Sequence, residues 1–347
     1  MMATWSDQTR RGFLQLSGGV IAAGTTLAAP NPLRAAPLKK ITFALNWFAR
    51  GDYSQYYVTL DRGYYAKRGL DVTIKNFPGN ALAFQTLAAD KAQFTQADIV
   101  QMLELQGKSP KPQLLLVADI VDKLPLSLFF LKGHGIVQPR DLEGKTIVDS
   151  PGSTTPFIFK LFAKENGIDQ AKVHWLFTAA TNKGAFMLDG KANAVATDLP
   201  GLSSLEAHLR PGQEIGYFTF GNYGVDIYGT GLITRKDYWD TEDGKATTKA
   251  FVAATLEGCR DAFADPAAAV AILRKYHPEV DLKTGIEAEK LEASVCLQKH
   301  GLGYIDPVKM QATYNAVVNL LGQPIPKPVT AYYTSAALPN PLPDQGG

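Results

Sequence analysis

From residue 41 onward, short runs of β-branched and apolar residues alternate with longer stretches of helical periodicity, and few folds admit that rhythm. Residues 41–45 (Ile-Thr-Phe-Ala-Leu) predict a strand, 55–68 a helix stopped by Gly69, and 72–74 a second strand. A helix over 81–91, a strand over 94–97 and a helix over 100–106 follow. Residues 114–120 and 126–131 are unbroken apolar runs, the pattern of strands covered on both faces. A second series then begins: a strand at 145–148, a helix at 155–165 ended by Asn166-Gly167, and continued alternation through 173–177, 185–188, 194–196, 202–208 and 215–220. Residues 227–234 form a glycine-broken, strand-like run. Beyond Tyr238 the pattern is helical, over 247–264, 267–276, 286–298 and 307–321, with Asp265-Pro266 as cap and first turn of the second of these. This order predicts an α/β protein built on two open sheets. The proline-rich end, 340–347, is predicted to be disordered.

The N-terminus stands apart. Thr9-Arg10-Arg11-Gly12-Phe13-Leu14 resembles a twin-arginine export signal, and the stretch over 16–29 is too short and too polar to span a membrane, which takes about 20 apolar residues. Residues 1–36 are therefore expected to be a cleaved leader, which implies passage through the twin-arginine translocase to the periplasm. The formal charge of the chain is +2, and the leader carries all of that excess, so the remainder is near neutral. No polybasic surface points to nucleic acid or to anionic lipid. Cys259 and Cys296 fall in helix-like segments, and their spacing leaves both a disulfide and two separate buried thiols open.

Residues 41–99 contain Asn46-Trp47, the run Tyr53 to Tyr57, and Gly63-Tyr64-Tyr65 followed by Gly69-Leu70-Asp71-Val72. These resemble the first lobe of a family of periplasmic solute-binding proteins that serve ABC importers of thiamine pyrimidine precursors, alkanesulfonates, taurine and nitrate. Asp141-Leu142-Glu143-Gly144-Lys145-Thr146-Ile147 is similar to the start of the second lobe, and Tyr332-Tyr333-Thr334 to the closing segment. The resemblance implies the type II two-lobed binding-protein fold, two α/β sheets joined by two crossover strands, with the ligand between the lobes. The crossovers are expected at 126–131 and 227–234, lobe 1 at 37–130 and 236–339, and lobe 2 at 131–235. It also implies a monomer that docks transiently on an ABC permease and its ATPase. A periplasmic sensor that hands its ligand to a receptor fits the same chain.

Open α/β sheets bind ligands beyond the carboxyl ends of their strands, where helix N-termini present free N–H groups. Five turns qualify. Asn46, Trp47 and Tyr53 follow the first strand and offer a flat wall for a planar ring. Asn80 precedes a helix, as a ligand contact or an N-cap. Asp98 ends a strand, as an acceptor for a ligand amine or as an inter-lobe latch. Ser150, Ser153 and Thr154 open a helix, where they cap it or hold a polar oxygen. Thr181, Asn182, Asp198, Tyr223, Asp226 and Tyr228 gather from later loops. Asp98, Asp198 and Asp226 near aromatic residues, with no obvious arginine for a ligand anion, favour an amino-substituted heterocycle over a sulfonate or nitrate.

Catalytic motifs are absent. Gly144-Lys145-Thr146 ends like a phosphate loop, but Pro139 stands where the first glycine belongs. His134, His174, His208, His277 and His300 are scattered, no Cys-x-x-Cys exists, and there is no G-x-S-x-G turn, so neither a metal site nor a cofactor is expected. Fungal enzymes that make the thiamine pyrimidine resemble the same family and use histidine and cysteine in lobe 1, whereas residues 41–121 here contain neither. The expectation is a binding protein, not an enzyme.

Overall fold

The computed structural model describes residues 37–343; the expected leader, 1–36, and residues 344–347 lie outside the described residues. Strand β1 (Lys39–Leu45) carries the buried Phe43, Ala44 and Leu45. It is followed by α1 (Ser54–Asp61), β2 (Leu70–Asn76), α2 (Asn80–Ala88), β3 (Phe94–Asp98), α3 (Ile99–Lys108) and β4 (Leu114–Asp119). The helix expected over 55–68 is shorter: Gly63 takes φ +70° and ends it, and Ala66–Arg68 forms a separate 3-10 turn. The second series comprises β5 (Leu126–Leu131), β6 (Thr146–Asp149), α4 (Thr155–Glu165), β7 (His174–Phe177), α5 (Lys183–Leu188), β8 (Ala194–Asp198), α6 (Leu202–Glu206) and β9 (Ile215–Thr219). The chain closes with β10 (Thr230–Arg235), α7 (Lys236–Trp239), α8 (Glu242–Ala264), α9 (Pro266–Tyr276), α10 (Leu282–Cys296) and α11 (Pro307–Leu321).

Two five-stranded sheets result, in the orders β2-β1-β3-β10-β4 and β7-β6-β8-β5-β9. Each is parallel except for one strand: β10 runs antiparallel between β3 and β4, and β5 runs antiparallel to β8 and β9. In the second sheet that leaves β9 parallel in direction to β8 across β5. This corrects the expected crossovers. Residues 126–131 are a central strand of the second sheet, so the chain changes sheet earlier, over 120–125. Residues 230–235 are a central strand of the first sheet, so the return lies over 220–229. The cause is physical: an unbroken apolar run marks a strand covered on both faces, and a central strand meets that condition as fully as a crossover does.

The run that signalled the first lobe has a packing role. Tyr65 is buried, stacks on Phe251 of α8 at 5.3 Å, and shares a 2.9 Å hydrogen bond with Thr255. Phe94 stacks on the same phenylalanine, at 4.1 Å, so α8 is fixed to the first sheet by an aromatic layer. Gly69 then turns the chain into β2 with φ +79°. The expected cap is present, as Asp265 Oδ1 accepts from the Ala268 N–H at 3.0 Å. Cys259 and Cys296 are free and buried. Of the tail, Leu338 and Leu342 pack against the first-sheet core, which corrects the expected disorder for residues 340–343.

Helix α10 lies over the turn Gly51–Tyr53 with no room to spare: a Cβ on Gly51 would sit 1.9 Å from the Gly285 carbonyl oxygen. Gly51→Ala therefore forces backbone apart. Urea unfolding is expected to show a loss of about 1–3 kcal/mol, the usual cost of overpacking, and an unchanged midpoint would refute this contact.

Candidate functional site

A cavity of about 140 Å³ opens between the two sheets at their carboxyl ends. From the first sheet it receives the β1 loop, the start of α2 and the end of β3; from the second, the β6–α4 turn and the end of β8. One hydrogen-bonded chain runs along its wall. Tyr53 Oη donates to Asn46 Oδ1 at 2.9 Å, Asn46 Nδ2 to Asn80 Oδ1 at 2.7 Å, and Asn80 Nδ2 to Asp98 Oδ2 at 2.7 Å. Thr154 Oγ1, from the second sheet's side, donates to the same Asp98 oxygen at 2.8 Å. Asp98 is thus the inter-lobe latch anticipated as one of its roles, and Asn80 pairs side chains instead of capping α2. On the floor, Gln96 Nε2 donates to Thr230 Oγ1 at 2.6 Å, while Gln96 Oε1 is buried with no partner among the described residues.

Arg50 forms a second, stronger bridge. Its Nε and Nη2 donate to the two oxygens of Asp52, at 2.5 and 2.6 Å, and Nη2 also reaches both oxygens of Asp198, at 3.0 and 2.9 Å. Asp52 belongs to the first-sheet side and Asp198 ends β8, so one guanidinium ties the lobes together. Burial pushes the Asp198 carboxyl up, but Arg50, with help from Lys183, overrides this and holds it below the ordinary range. Glu289 and Glu292 of α10 lie behind. Burial, and then the negative charge of Asp52, pushes both carboxyls well above the usual range. Burial and the neighbouring carboxylates act in the same direction on both, since each disfavours the charged form.

The second sheet contributes Lys183, buried at the start of α5. Its Nζ donates to Asp149 Oδ1 at 3.0 Å and to the Ala196 carbonyl at 2.8 Å, and lies 5.8 Å from the centre of the Trp47 ring. Asp98 is pushed up to about 6, chiefly by burial, against the opposing hydrogen bonds from Thr154 and Asn80.

A family model described as NMT1/THI5 like matches residues 51–269. The chain belongs to the NMT1/THI5-like family. A formylaminopyrimidine-binding protein of Halalkalibacterium halodurans is 27% identical over 275 residues, covering 76% of this chain and 78% of the relative. Riboflavin-binding protein RibY of Chloroflexus aurantiacus is 24% identical over 311 residues, 82% of each. The alkanesulfonate-binding protein SsuA of Xanthomonas axonopodis pv. citri, solved with MOPS bound, superposes with a TM-score of 0.66 at 15% identity, covering 86% of this chain and 100% of that one. The fold is that of two-lobed binding proteins, as the family resemblance implied.

The sequence-derived residues divide cleanly. Asn46, Trp47, Tyr53, Asn80, Asp98, Ser150, Ser153, Thr154 and Asp198 all line the cavity. Ser153 Oγ also accepts from the Thr155 N–H at 3.2 Å, but the N-cap of α4 is Thr154, whose side chain turns to Asp98, so neither hydroxyl caps the helix as expected. Thr181 lines a neighbouring cavity, and Asn182 is exposed and lines neither. Three residues stand elsewhere. Tyr223 packs on Phe162 and Phe218; Asp226 is exposed and pairs with Lys309 at 3.2 Å; Tyr228 is buried and its Oη accepts from the Asp306 N–H at 2.6 Å. Each follows the earlier return to the first sheet, which carries 220–229 away from the cleft. Sequence reasoning missed Lys183, Gln96, Thr197 and Glu292, which also line the cavity. Glu289 and Glu292 did carry a signal, as carboxylates on the same helix stripe as Ala288, Val295 and Cys296.

Two outcomes are expected. Arg50→Ala leaves Asp52 and Asp198 buried without a cation, and denaturant unfolding should show a loss of about 3–5 kcal/mol; a loss below about 1 kcal/mol would refute the bridge. Asp98 retains its proton to about pH 6 when folded but loses it near the ordinary 3.8 when unfolded. The folded state therefore holds more protons between those values, and this contribution to stability falls as pH rises through the window. Asp98→Asn, scanned thermally at pH 4 and 7, should gain on the wild type at the higher pH; an equal difference at both would contradict the shift.

Proposed function

We propose that the chain is an extracytoplasmic solute-binding protein that holds a small amino-substituted heteroaromatic, of the aminopyrimidine kind, in the inter-lobe cavity and delivers it to an ABC permease. The observation that carries this reading is the balance of groups on the cavity wall. The second oxygen of Asp98 and the free Gln96 Oε1 offer acceptors beside Trp47 and Tyr53. Both cations are engaged already, Arg50 by two aspartates and Lys183 by Asp149. A sulfonate or nitrate would meet carboxylates and no unpaired cation, whereas a ring bearing amino groups finds acceptors at its edge and an indole face.

Size supports the same class. An apolar cavity of about 150 Å³ accommodates one benzene ring, and the space here is about 140 Å³. That is room for a single six-membered ring, not for a fused three-ring system. The relative named for formylaminopyrimidine agrees with this. The chain acts by capture and release, the mode of the binding-protein relatives. The Arg50–Asp198 and Asp98–Thr154 bridges hold the lobes closed, and hinge motion at 120–125 and 220–229 opens them. The leader resembling a twin-arginine signal supports periplasmic action.

A thermal-shift panel of the chain from Pro37 onward tests the ligand class, with aminopyrimidines, riboflavin, taurine, alkanesulfonates and nitrate. An aminopyrimidine at a hundredfold excess over Kd is expected to add roughly 2.7 kcal/mol of stability, and Asp98→Ala should abolish the shift. A response to sulfonates or nitrate alone would overturn the ligand class and leave the transport role standing.

A further inference from the structure

Four side chains link the protein surface to the backbone of Trp47. Asn76 ends β2, and its Nδ2 donates to the Trp47 carbonyl at 2.9 Å; no other hydrogen bond to that carbonyl is found among the described residues. Tyr57 of α1, which is buried, donates its Oη proton to Asn76 Oδ1 at 2.8 Å. The same phenolic oxygen lies 2.7 Å from Nε2 of His277, the residue that closes α9. His277 Nδ1 in turn lies 3.0 Å from Oε1 of Glu279, whose side chain is 68% exposed. Trp47 lines the cavity assigned to the ring, and none of the four does.

Counting protons fixes the direction of every bond. A backbone carbonyl only accepts, so Asn76 presents Nδ2 to Trp47 and Oδ1 to Tyr57. Tyr57 has one proton, and Asn76 takes it. The 2.7 Å contact then requires His277 Nε2 to carry a proton and donate it to Tyr57 Oη. Across the ring, Nδ1 faces a carboxylate, which only accepts. The backbone N–H of Glu279 itself, and then His277, hold that carboxyl below the ordinary range, so it stays charged. All the bonds are made together only when both ring nitrogens carry protons. A neutral imidazole has one N–H and serves one side. A bond to a charged acceptor is roughly twice as strong as one between neutral groups, so the remaining proton stays on Nδ1, toward Glu279. Nε2 then takes the Tyr57 proton, and Asn76 Oδ1 loses its donor. The other titratable groups beside these four are occupied or point outward: Lys275 pairs with Asp61 at 2.8 Å, Asp281 accepts from the Thr284 N–H at 2.9 Å, Tyr276 packs on the Tyr57 ring at 5.5 Å, and Arg274 is exposed.

We propose that His277 and Tyr57 are positioning residues for the Trp47 wall: the doubly protonated histidine directs the Tyr57 proton to Asn76, Asn76 holds the Trp47 backbone, and loss of one proton from His277 releases it. This rests on the ring-binding reading and deepens it, because ligand affinity then depends on pH through a histidine that does not line the cavity. Histidine changes charge between about pH 5 and 8. The sign follows from the proton count. The protonated state holds Trp47, so this contribution to affinity is present at the acid end and is lost as pH rises.

The test measures Kd for 4-aminopyrimidine by calorimetry at about pH 5.5 and pH 8, in the wild type, Tyr57→Phe and Glu279→Gln. Tyr57→Phe has no proton to give Asn76 and should show the weaker affinity at both. Glu279→Gln, at an exposed position, offers Nδ1 an amide donor, which leaves the proton on Nε2, so this variant should keep the tighter affinity at both. The wild type is expected to match Glu279→Gln within about twofold at the acid pH and to fall about fivefold behind it at the alkaline one, reaching the level of Tyr57→Phe; that is the worth of one neutral hydrogen bond. Asp98 and the probe titrate alike in all three chains and cancel from these ratios. A role in stability alone would not move the wild type from one variant's level to the other's. Ratios that are the same at both pH values overturn the positioning role while the ring reading stands. A probe that binds at neither pH overturns the ring reading, and the Trp47 indole N–H resonance of the unliganded chain then decides the positioning role: a larger shift between the two pH values in the wild type than in Glu279→Gln supports it, and equal shifts overturn it.

Discussion

A single buried guanidinium sets the conditions for everything around the cleft. Arg50 meets Asp52 from its own loop and Asp198 from the far sheet, with four donor–acceptor contacts at 2.5–3.0 Å. Only arginine supplies a flat fork that stays charged in such a place; a lysine would satisfy one carboxylate and leave the other short of donors. The neighbours follow from this. The loop must turn tightly at Gly51 so that Asp52 reaches back to Arg50, and α10 must pass close above it. Glu289 and Glu292 on that helix lie buried behind the bridge, and burial with the charge of Asp52 pushes both carboxyls well above the usual range. The lobe interface is thus polar, closely matched in charge, and strongest when both sides are present.

Selectivity follows from which groups the protein has already satisfied internally. The hydroxyls at the start of α4 look like an anion site in sequence, yet Thr154 donates to Asp98 and Ser153 serves the backbone of Thr155. What remains available at the ring cavity is mainly acceptor in character: the second oxygen of Asp98 and Gln96 Oε1. A binding site described by its residue types alone would read as mixed. Described by its unfilled valences, it asks for donors.

The strand and helix order was legible because covered strands, glycine stops and caps leave local marks. The αL turn at Gly69, the cap at Asp265 and the apolar runs at β4 and β5 all appear where the chain announces them. The strand ends were legible for the same reason, and Asn46, Trp47, Asn80, Asp98 and Asp198 meet at one cavity. What was not legible depends on pairing between distant segments. Nothing local distinguishes a crossover from a central strand, so β5 and β10 were read as links, and Tyr223, Asp226 and Tyr228 were drawn into the cleft with them. Lys183, at the start of the short α5, escaped because a charged residue reads as solvated until the fold closes over it, and Glu292, on the inner stripe of α10, could have been caught by its apolar neighbours.

The place of β10 has a consequence for how the chain is assembled. The second sheet is made from one uninterrupted stretch, 126–219, and is complete as soon as that stretch has been synthesised. The first sheet is not: β3 and β4 flank a strand that begins at Thr230, more than a hundred residues after β4. Until then its two inner edges stand open, with the unpaired N–H and C=O groups that invite pairing with other chains. The later lobe in sequence is therefore the earlier one to mature, and the lobe that the chain begins is the one it finishes last.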